Sequence, residues 1–332
     1  MTEKQKFHDK KLLIIGAGVI GTLYGWQLQK SGCQVTHLIR KSKIDLYKAS
    51  GIQIKCLDLR SSQGKNVEEQ YLPNFVDSFS DFENYDFIIV AVNSNQLEDI
   101  LLMLKNYSGT AHIVFLQNMR PGDDESIAEY LDLSRYFIAY PFKAGGGRKD
   151  NLIEGVIFGM KLTNTVVGER DGHISNRVKE FSYLLEQANM NPKIITDIIP
   201  YIRTHYVWGA CCLAAYLKAG NYQTFQRTEL IKESYLAMRE GWKICENQGI
   251  NPRKVAPTKY YFLPFFLLIP FTQWIYRQKG MQEMFEGHVQ HSPDEMKDMY
   301  FTLLALGKKY KVDMPIYEGY MPYVKKFFNL LE

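Results

Sequence analysis

Three glycines near the start of the chain have the spacing of a dinucleotide-binding turn. The pattern GxGxxG comprises Gly16, Ala17, Gly18, Val19, Ile20 and Gly21. In such a turn the first glycine permits the bend, the second lets the backbone approach a pyrophosphate, and the third allows close packing of helix on strand. A glycine-rich turn without a ligand is the alternative. The apolar run before it and the amphipathic segment after it favour dinucleotide binding, with the phosphates at the helix N-terminus.

A basic cluster after the second predicted strand indicates whether the dinucleotide is NAD or NADP. NAD-binding domains usually have Asp or Glu there, to bind the ribose 2′-hydroxyl. Here the strand at 34–39 is followed by Arg40 and Lys41, with Lys43 close behind. An arginine can form charge-assisted hydrogen bonds with a 2′-phosphate, and the lysines add positive charge. We therefore expect NADP, with a solvated basic turn as the alternative.

The elements that position these residues follow from the spacing of apolar side chains. The run at 11–16 predicts a buried strand, 19–30 a helix and 34–39 a second strand, which together form a βαβ unit. Further strands are expected at 52–56, 87–92 and 112–116, and helices at 96–104 and 124–131. This alternation predicts a doubly wound, mainly parallel α/β sheet of the Rossmann type. Residues 137–168 are expected to be extended around a turn at Gly145–Gly147.

After about residue 172 the pattern becomes helical. Helices are expected at 174–187, 202–218, 228–248 and 294–309. The sequence thus predicts an NADP-binding domain over residues 1–175 and a helical substrate or dimerisation domain over residues 176–332.

Composition limits the class of protein. The formal net charge of +4 over 332 residues is too small and dispersed to indicate nucleic-acid binding. The five cysteines show no metal-ligand spacing, so we expect reduced thiols, no metal site and a cytoplasmic protein. The polar N-terminus, 1–11, has no apolar core of a secretory signal.

The aromatic stretch at 260–276 falls short of the roughly 20 residues of a membrane span and contains two prolines. It is interpreted as buried core, the wall of an apolar cleft or a homodimer interface, with membrane-surface contact as the alternative.

The sequence resembles the ketopantoate reductase family. The resemblance is carried by IGAGVIGTLYGWQLQKSGCQVTHLIR at 15–40, VAVNSNQL at 90–97 and LQN at 116–118. A weaker, collinear similarity continues through HSPDEM at 291–296 and Met314-Pro315.

The resemblance implies reduction of a 2-oxo acid to a 2-hydroxy acid with NADPH. It places Gln96 and Asn118 at the nicotinamide end of the cofactor, Asn118 also contacting the substrate, and Glu295 as a substrate-orienting carboxylate. His205 falls at or near the family's proton-donating Lys. An imidazole titrates near neutrality, so His205 is the candidate proton donor. The alternatives are a histidine without a catalytic role and, for Glu295, an exposed helical acid.

The sequence departs from the family at several positions. Gly209 stands where the family has an Asn, Asn93 where it has a second Lys, and Met119 where it has a glycine. These departures leave two alternatives open: a dinucleotide-binding sensor or regulatory protein that has lost catalysis, and an imine- or amino-acid-forming oxidoreductase.

Overall fold

The computed structural model describes residues 9–78, 84–291 and 293–330, so Ser292 of the HSPDEM segment lies outside them. The chain divides into two compact units, Met1–Ile198 and Ile199–Glu332. The first contains the sheets and the second is helical.

Every strand formed by the described residues lies in the first unit. They are β1 (Lys11–Ile15), β2 (Gln34–Leu38), β3 (Ile52–Asp58), β4 (Lys65–Tyr71), β5 (Asn74–Val76), β6 (Phe87–Val90), β7 (His112–Leu116), β8 (Tyr136–Pro141), β9 (Ala144–Lys149), β10 (Leu152–Ile157), β11 (Thr165–Gly168) and β12 (Pro192–Ile194).

The main sheet has eight strands in the order β12-β11-β8-β7-β6-β1-β2-β5. The strands from β8 to β5 in this order are parallel, and β11 is antiparallel to β8. β1 registers on both neighbours, with Leu12 opposite Val35 of β2 and Phe87 of β6. The central strands are continuous apolar runs because both faces of the sheet are covered. The predicted fold class is therefore confirmed.

A second sheet, in the order β4-β3-β10-β9, corrects two expectations. The strand predicted at 52–56 belongs to this sheet and not to the main one. Gly145–Gly147 do not form a turn: they lie within β9, and the chain reverses after Lys149, where Asp150 has a positive φ of 52°. Gly146 has a φ of +140°, and a Cβ atom there would meet the backbone of Glu154 on β10, so the position requires glycine. In β10 itself, a Cβ atom at Gly155 would come within 2.9 Å of Leu23 on α1.

The helices divide between the units. Those of the first are α1 (Val19–Lys30), α2 (Lys41–Ser50), α3 (Leu97–Lys105), α4 (Asp123–Tyr130) and α5 (Asn176–Gln187). Those of the second are α6 (Ile198–Ala219), α7 (Tyr222–Phe225), α8 (Thr228–Asn247), α9 (Phe265–Tyr276), α10 (Met281–His291), α11 (Pro293–Tyr310), α12 (Pro315–Glu318) and α13 (Met321–Phe327). The boundary expected at residue 175 falls just before α5, which, like β12, belongs to the first unit.

The aromatic stretch forms a short 3₁₀ helix, Thr258–Phe262, followed by α9. One face of α9 is buried through Leu268, Ile269, Thr272 and Tyr276, as expected of core. The other face is exposed through Phe266, Leu267, Phe271 and Trp274, so the interpretation as buried core holds for one face of this helix only. No helix within the described ranges is long and apolar enough to cross a membrane.

Candidate functional site

The glycine turn between β1 and α1 has two tightly packed glycines and one open one. Gly16 has a φ of +106°, and a Cβ atom there would lie 2.7 Å from the carbonyl oxygen of Ala91. A Cβ atom at Gly21 would lie 2.8 Å from the Gly16 carbonyl oxygen. A Cβ atom at Gly18 would meet nothing within 4 Å. The protein itself therefore requires glycine at 16 and 21, whereas the space beside Gly18 is free for a ligand.

The start of α1 is suited to an anion. Gly18 is the N-cap, Val19 and Ile20 form the first turn, and no acidic residue lies in that turn. The first N–H groups of a helix have no acceptor within it, and with the helix dipole they attract phosphate. Ala17 is buried just before the helix. These residues fit the pyrophosphate of a dinucleotide.

Two hydrogen bonds tie the turn to the end of β2. The Gly16 amide donates to the Leu38 carbonyl at 3.1 Å, and His37 Nδ1 donates to the Gly16 carbonyl at 2.8 Å. With Nδ1 protonated, His37 Nε2 accepts from the Tyr71 hydroxyl at 3.1 Å. Desolvation lowers the pKa of His37 to about 4, so the ring is neutral at neutral pH and this arrangement persists.

Arg40 lies two residues beyond the strand end that these bonds anchor. It is the N-cap of α2, is exposed, and forms no ion pair within the described part of the chain. Lys41 is exposed as the first residue of α2. Both residues, which the sequence predicts to bind a 2′-phosphate, thus lie just beyond the strand end that is bonded to the glycine turn, and neither forms an ion pair with another described residue.

The segments after β6 and β7 are bonded to each other. The Ser94 hydroxyl donates to Asp123 Oδ2 at 2.6 Å, and the Arg120 amide donates to the same oxygen at 2.8 Å. Arg120 also donates to the Ser94 carbonyl at 3.2 Å. Gln96 and Asn118, both half-buried, lie on these two segments, which are therefore held together at the carboxyl ends of neighbouring strands.

Asp123 and Arg120 were not predicted from sequence. Burial raises the pKa of Asp123, and its bonds to Ser94 and Arg120 oppose that shift. An acid in the first turn of a predicted helix, three residues after an arginine, is a weak signal, because many surface helices begin in this way.

Arg148 was also not predicted to lie at the glycine turn. Its guanidinium donates to the Ala17 carbonyl at 2.5 Å and stacks over the ring of Tyr47, with 5.4 Å to the centroid. Because 131 residues separate Arg148 from Ala17, no spacing rule could have paired them.

In the second unit, His205 lies in an aromatic cluster on α6. Its ring stacks on Tyr201 with centroids 5.7 Å apart and lies 4.9 Å from Trp208. Only 9% of His205 is exposed. Desolvation lowers its pKa to about 3, so the imidazole is neutral at neutral pH. It can donate a hydrogen bond through a neutral N–H, but it carries no acidic imidazolium proton there.

Gly209, one turn after His205, is a close-packing position. A Cβ atom there would lie 3.1 Å from the terminal methyl of Met299 on α11, so Met299 takes up space that a larger side chain would need. Glu295, half-buried in the first turn of α11, precedes Met299 by one turn. Within the described residues no group of His, Cys, Asp and Glu could hold a metal ion.

Comparison with known proteins adds relatives of similar length. Residues 12–171 match the model of the family described as ketopantoate reductase PanE/ApbA. A 2-dehydropantoate 2-reductase of Aquifex aeolicus (strain VF5) is 22% identical over 339 residues, covering 96% of this chain and 98% of the relative.

Two solved structures share the fold. The 2-dehydropantoate 2-reductase of Geobacter metallireducens GS-15 gives a TM-score of 0.68 at 17% identity, covering 95% of this chain and 99% of that one. A D-mandelate dehydrogenase solved with NADH and anilino(oxo)acetate gives 0.74 at 15% identity, covering 96% and 98%. The family match covers residues 12–171, including the glycine turn and the segments after β6 and β7, and together with these likenesses it supports a divergent member of the ketopantoate reductase family, a family of oxidoreductases.

Proposed function

We propose that this chain uses NADPH to reduce a small 2-oxo acid to the 2-hydroxy acid. The observation that carries the proposal is the glycine turn, in which Gly16 and Gly21 are packed tightly and the space beside Gly18 is open. The relative from Aquifex aeolicus is a 2-dehydropantoate 2-reductase, which supports the reaction type. In this proposal residues 1–175 bind the cofactor and residues 176–332 bind the substrate or form a dimer.

The preference for NADPH rests on Arg40. Its exposed guanidinium has no ion-pair partner within the described residues, and the anchored end of β2 puts it beside the turn. The D-mandelate dehydrogenase of similar fold was solved with NADH, so the fold alone does not select the cofactor. A guanidinium in place of the usual carboxylate favours the extra phosphate of NADPH.

The bound cofactor would supply the hydride, and the chain would supply binding and charge stabilisation. Asn118 and Gln96 are proposed to orient the nicotinamide end and the substrate, and Glu295 the substrate. His205 remains the candidate donor to the substrate oxygen, but because its buried ring is neutral we propose that it donates a hydrogen bond and does not transfer a proton. A neutral imidazole N–H would stabilise a developing oxyanion by a hydrogen bond, as a preorganised donor does, and the proton would reach the product from water.

The test is NADPH oxidation, followed by absorbance, with ketopantoate and then with branched and aromatic 2-oxo acids. We expect turnover with at least one acid and a loss of about 10²- to 10⁴-fold in kcat for His205→Ala. Since His205 is neutral, that loss should not change between pH 5 and pH 9. A variant with unchanged kcat would remove His205 from the mechanism.

A second candidate is a dinucleotide-binding sensor or regulatory protein without catalysis. The neutral His205 and the close packing of Gly209 on Met299 favour it, because the second unit then lacks the charged acid expected from the family. The sensor should bind NADPH tightly, as measured by fluorescence, and oxidise none of it with any 2-oxo acid.

A further inference from the structure

A basic cavity lies in the first unit, beside the C-terminal half of α1. Its volume is about 610 Å³, within the range of small-molecule sites. Its charged lining residues are Arg60, Lys143, Lys161, Lys179 and Glu186. Four cations thus face one carboxylate, and Ser182, Asn189 and Asn191 add polar groups.

Lys143 is the unusual member of this lining. Only 4% of the residue is exposed. Its ammonium has no hydrogen bond or ion pair with any described residue. The charge of Asp58 acts on Lys143, but both oxygens of Asp58 accept from the Arg60 guanidinium, at 2.7 and 2.9 Å. A buried ammonium without an ion-pair partner is unfavourable. An anion that entered the cavity could form an ion pair with it.

Arg60 is held rigidly at the edge of the cavity. Besides Asp58, it donates to Gln27 Oε1 at 2.8 Å and to the Ala188 and Asn189 carbonyls at 3.2 and 3.5 Å, so each of its N–H groups has a partner within the protein. Lys161 and Lys179 are exposed. The cavity therefore combines the positive charges of a fixed guanidinium, a buried amine and two exposed ammonium groups, an arrangement that suits a compact polyanion.

The cavity is separate from the glycine turn. Arg60 bonds to Gln27, which lies two helical turns beyond Val19, about 12 Å along α1. A dinucleotide phosphate at the N-terminus of α1 therefore does not occupy it.

We propose that this cavity is a second anion site, which binds a small phosphate-bearing molecule through the buried ammonium of Lys143, with the positive charge of Arg60 beside it and Lys161 and Lys179 at its rim. Binding of the ligand would change the pKa of Lys143. Desolvation, together with the charge of Arg60, lowers the pKa of Lys143 to about 8, and a bound dianion would raise it again.

The test is competitive acylation of the whole protein, read by peptide mass spectrometry at Lys143 and at the exposed Lys149 of β9. Inorganic pyrophosphate is the probe. We expect Lys143 to react without pyrophosphate and to slow about tenfold or more with it, since each unit of pKa lowers the neutral amine about tenfold. Lys149 should not change. Because the reading is taken at Lys143, pyrophosphate bound at the glycine turn does not register.

Rim variants supply a second measurement in a protein whose core is untouched. Lys161→Ala with Lys179→Ala should weaken the protection of Lys143 several-fold, whereas Lys308→Ala with Lys309→Ala, exposed on α11, should not. Labelling of Lys143 that pyrophosphate leaves unchanged would overturn the proposal. So would protection that survives the rim variants, or a Lys143 that never reacts.

Discussion

Arg40 is the side chain on which the choice between the two nicotinamide dinucleotides depends. Arg40→Ala should weaken NADPH binding about 10- to 100-fold, because hydrogen bonds to a charged group contribute about 1.5–3 kcal/mol. NADH, which lacks the 2′-phosphate, should bind as before. Fluorescence titration of both cofactors measures the effect.

The control for Arg40 is Lys48→Ala, an exposed cation in the last turn of the same helix, α2. It should leave both affinities unchanged. Equal affinities of the unaltered protein for NADPH and NADH would contradict the assignment of Arg40 to the 2′-phosphate.

At the scale of single residues, the spacing of apolar residues in the sequence predicted the position of those site residues that directly follow a strand. The glycines, Arg40 and Asn118 follow strand ends, and strand ends can be located from apolar runs. The contact between Arg148 and Ala17 depends on the second sheet, whose pairing no local pattern reveals. The neutrality of His205 depends on the aromatic rings around it, and hence on tertiary packing.

At the scale of elements, different glycines of the turn from β1 into α1 are expected to serve protein stability and cofactor binding. Gly21→Ala places a methyl group 2.8 Å from the Gly16 carbonyl oxygen and should lower the free energy of unfolding by about 1–3 kcal/mol. Gly18→Ala meets no protein atom and should lower it by less than about 1 kcal/mol, yet it should weaken NADPH binding.

Urea unfolding and cofactor titration on the same two variants distinguish these effects, and each variant is the control for the other. Full NADPH affinity in Gly18→Ala would show that the cofactor does not approach the backbone there.

Sequence patterns predicted the positions of the buried strands of the main sheet well, but they did not predict the smaller sheet. β6 is apolar and buried throughout, and β1 and β7 are apolar and buried after their first residues, Lys11 and His112. β4 consists mainly of polar residues, most of them exposed, and β9 has three glycines after its first residue, so neither resembles a buried strand. Composition therefore suggested a turn, whereas these glycines lie within a strand in which Gly146 adopts a φ of +140° against the backbone of β10.

At the scale of the whole molecule, the exposed face of α9 supports the homodimer that the sequence suggested. Phe266 is 75% exposed, and Leu267, Phe271 and Trp274 extend the same apolar surface. Such a surface usually marks an interaction site. We expect the protein to sediment as a dimer, and Phe266→Ser with Trp274→Ser to shift it to monomer in analytical ultracentrifugation.

Leu102→Ser, at an exposed leucine of α3, is the matched control and should leave the dimer intact. A protein that is monomeric at every concentration and co-sediments with phospholipid vesicles would favour membrane-surface contact for this face instead.

The burial of every cysteine has a practical consequence. Cys33, Cys56, Cys211, Cys212 and Cys245 are all free and buried. Desolvation raises the pKa of Cys33 to about 11, that of Cys56 and Cys245 to about 12, and that of the other two as well. Only the thiolate reacts with maleimides and similar reagents. A single cysteine engineered onto the surface could therefore carry a fluorophore or spin label while every native thiol stays in place.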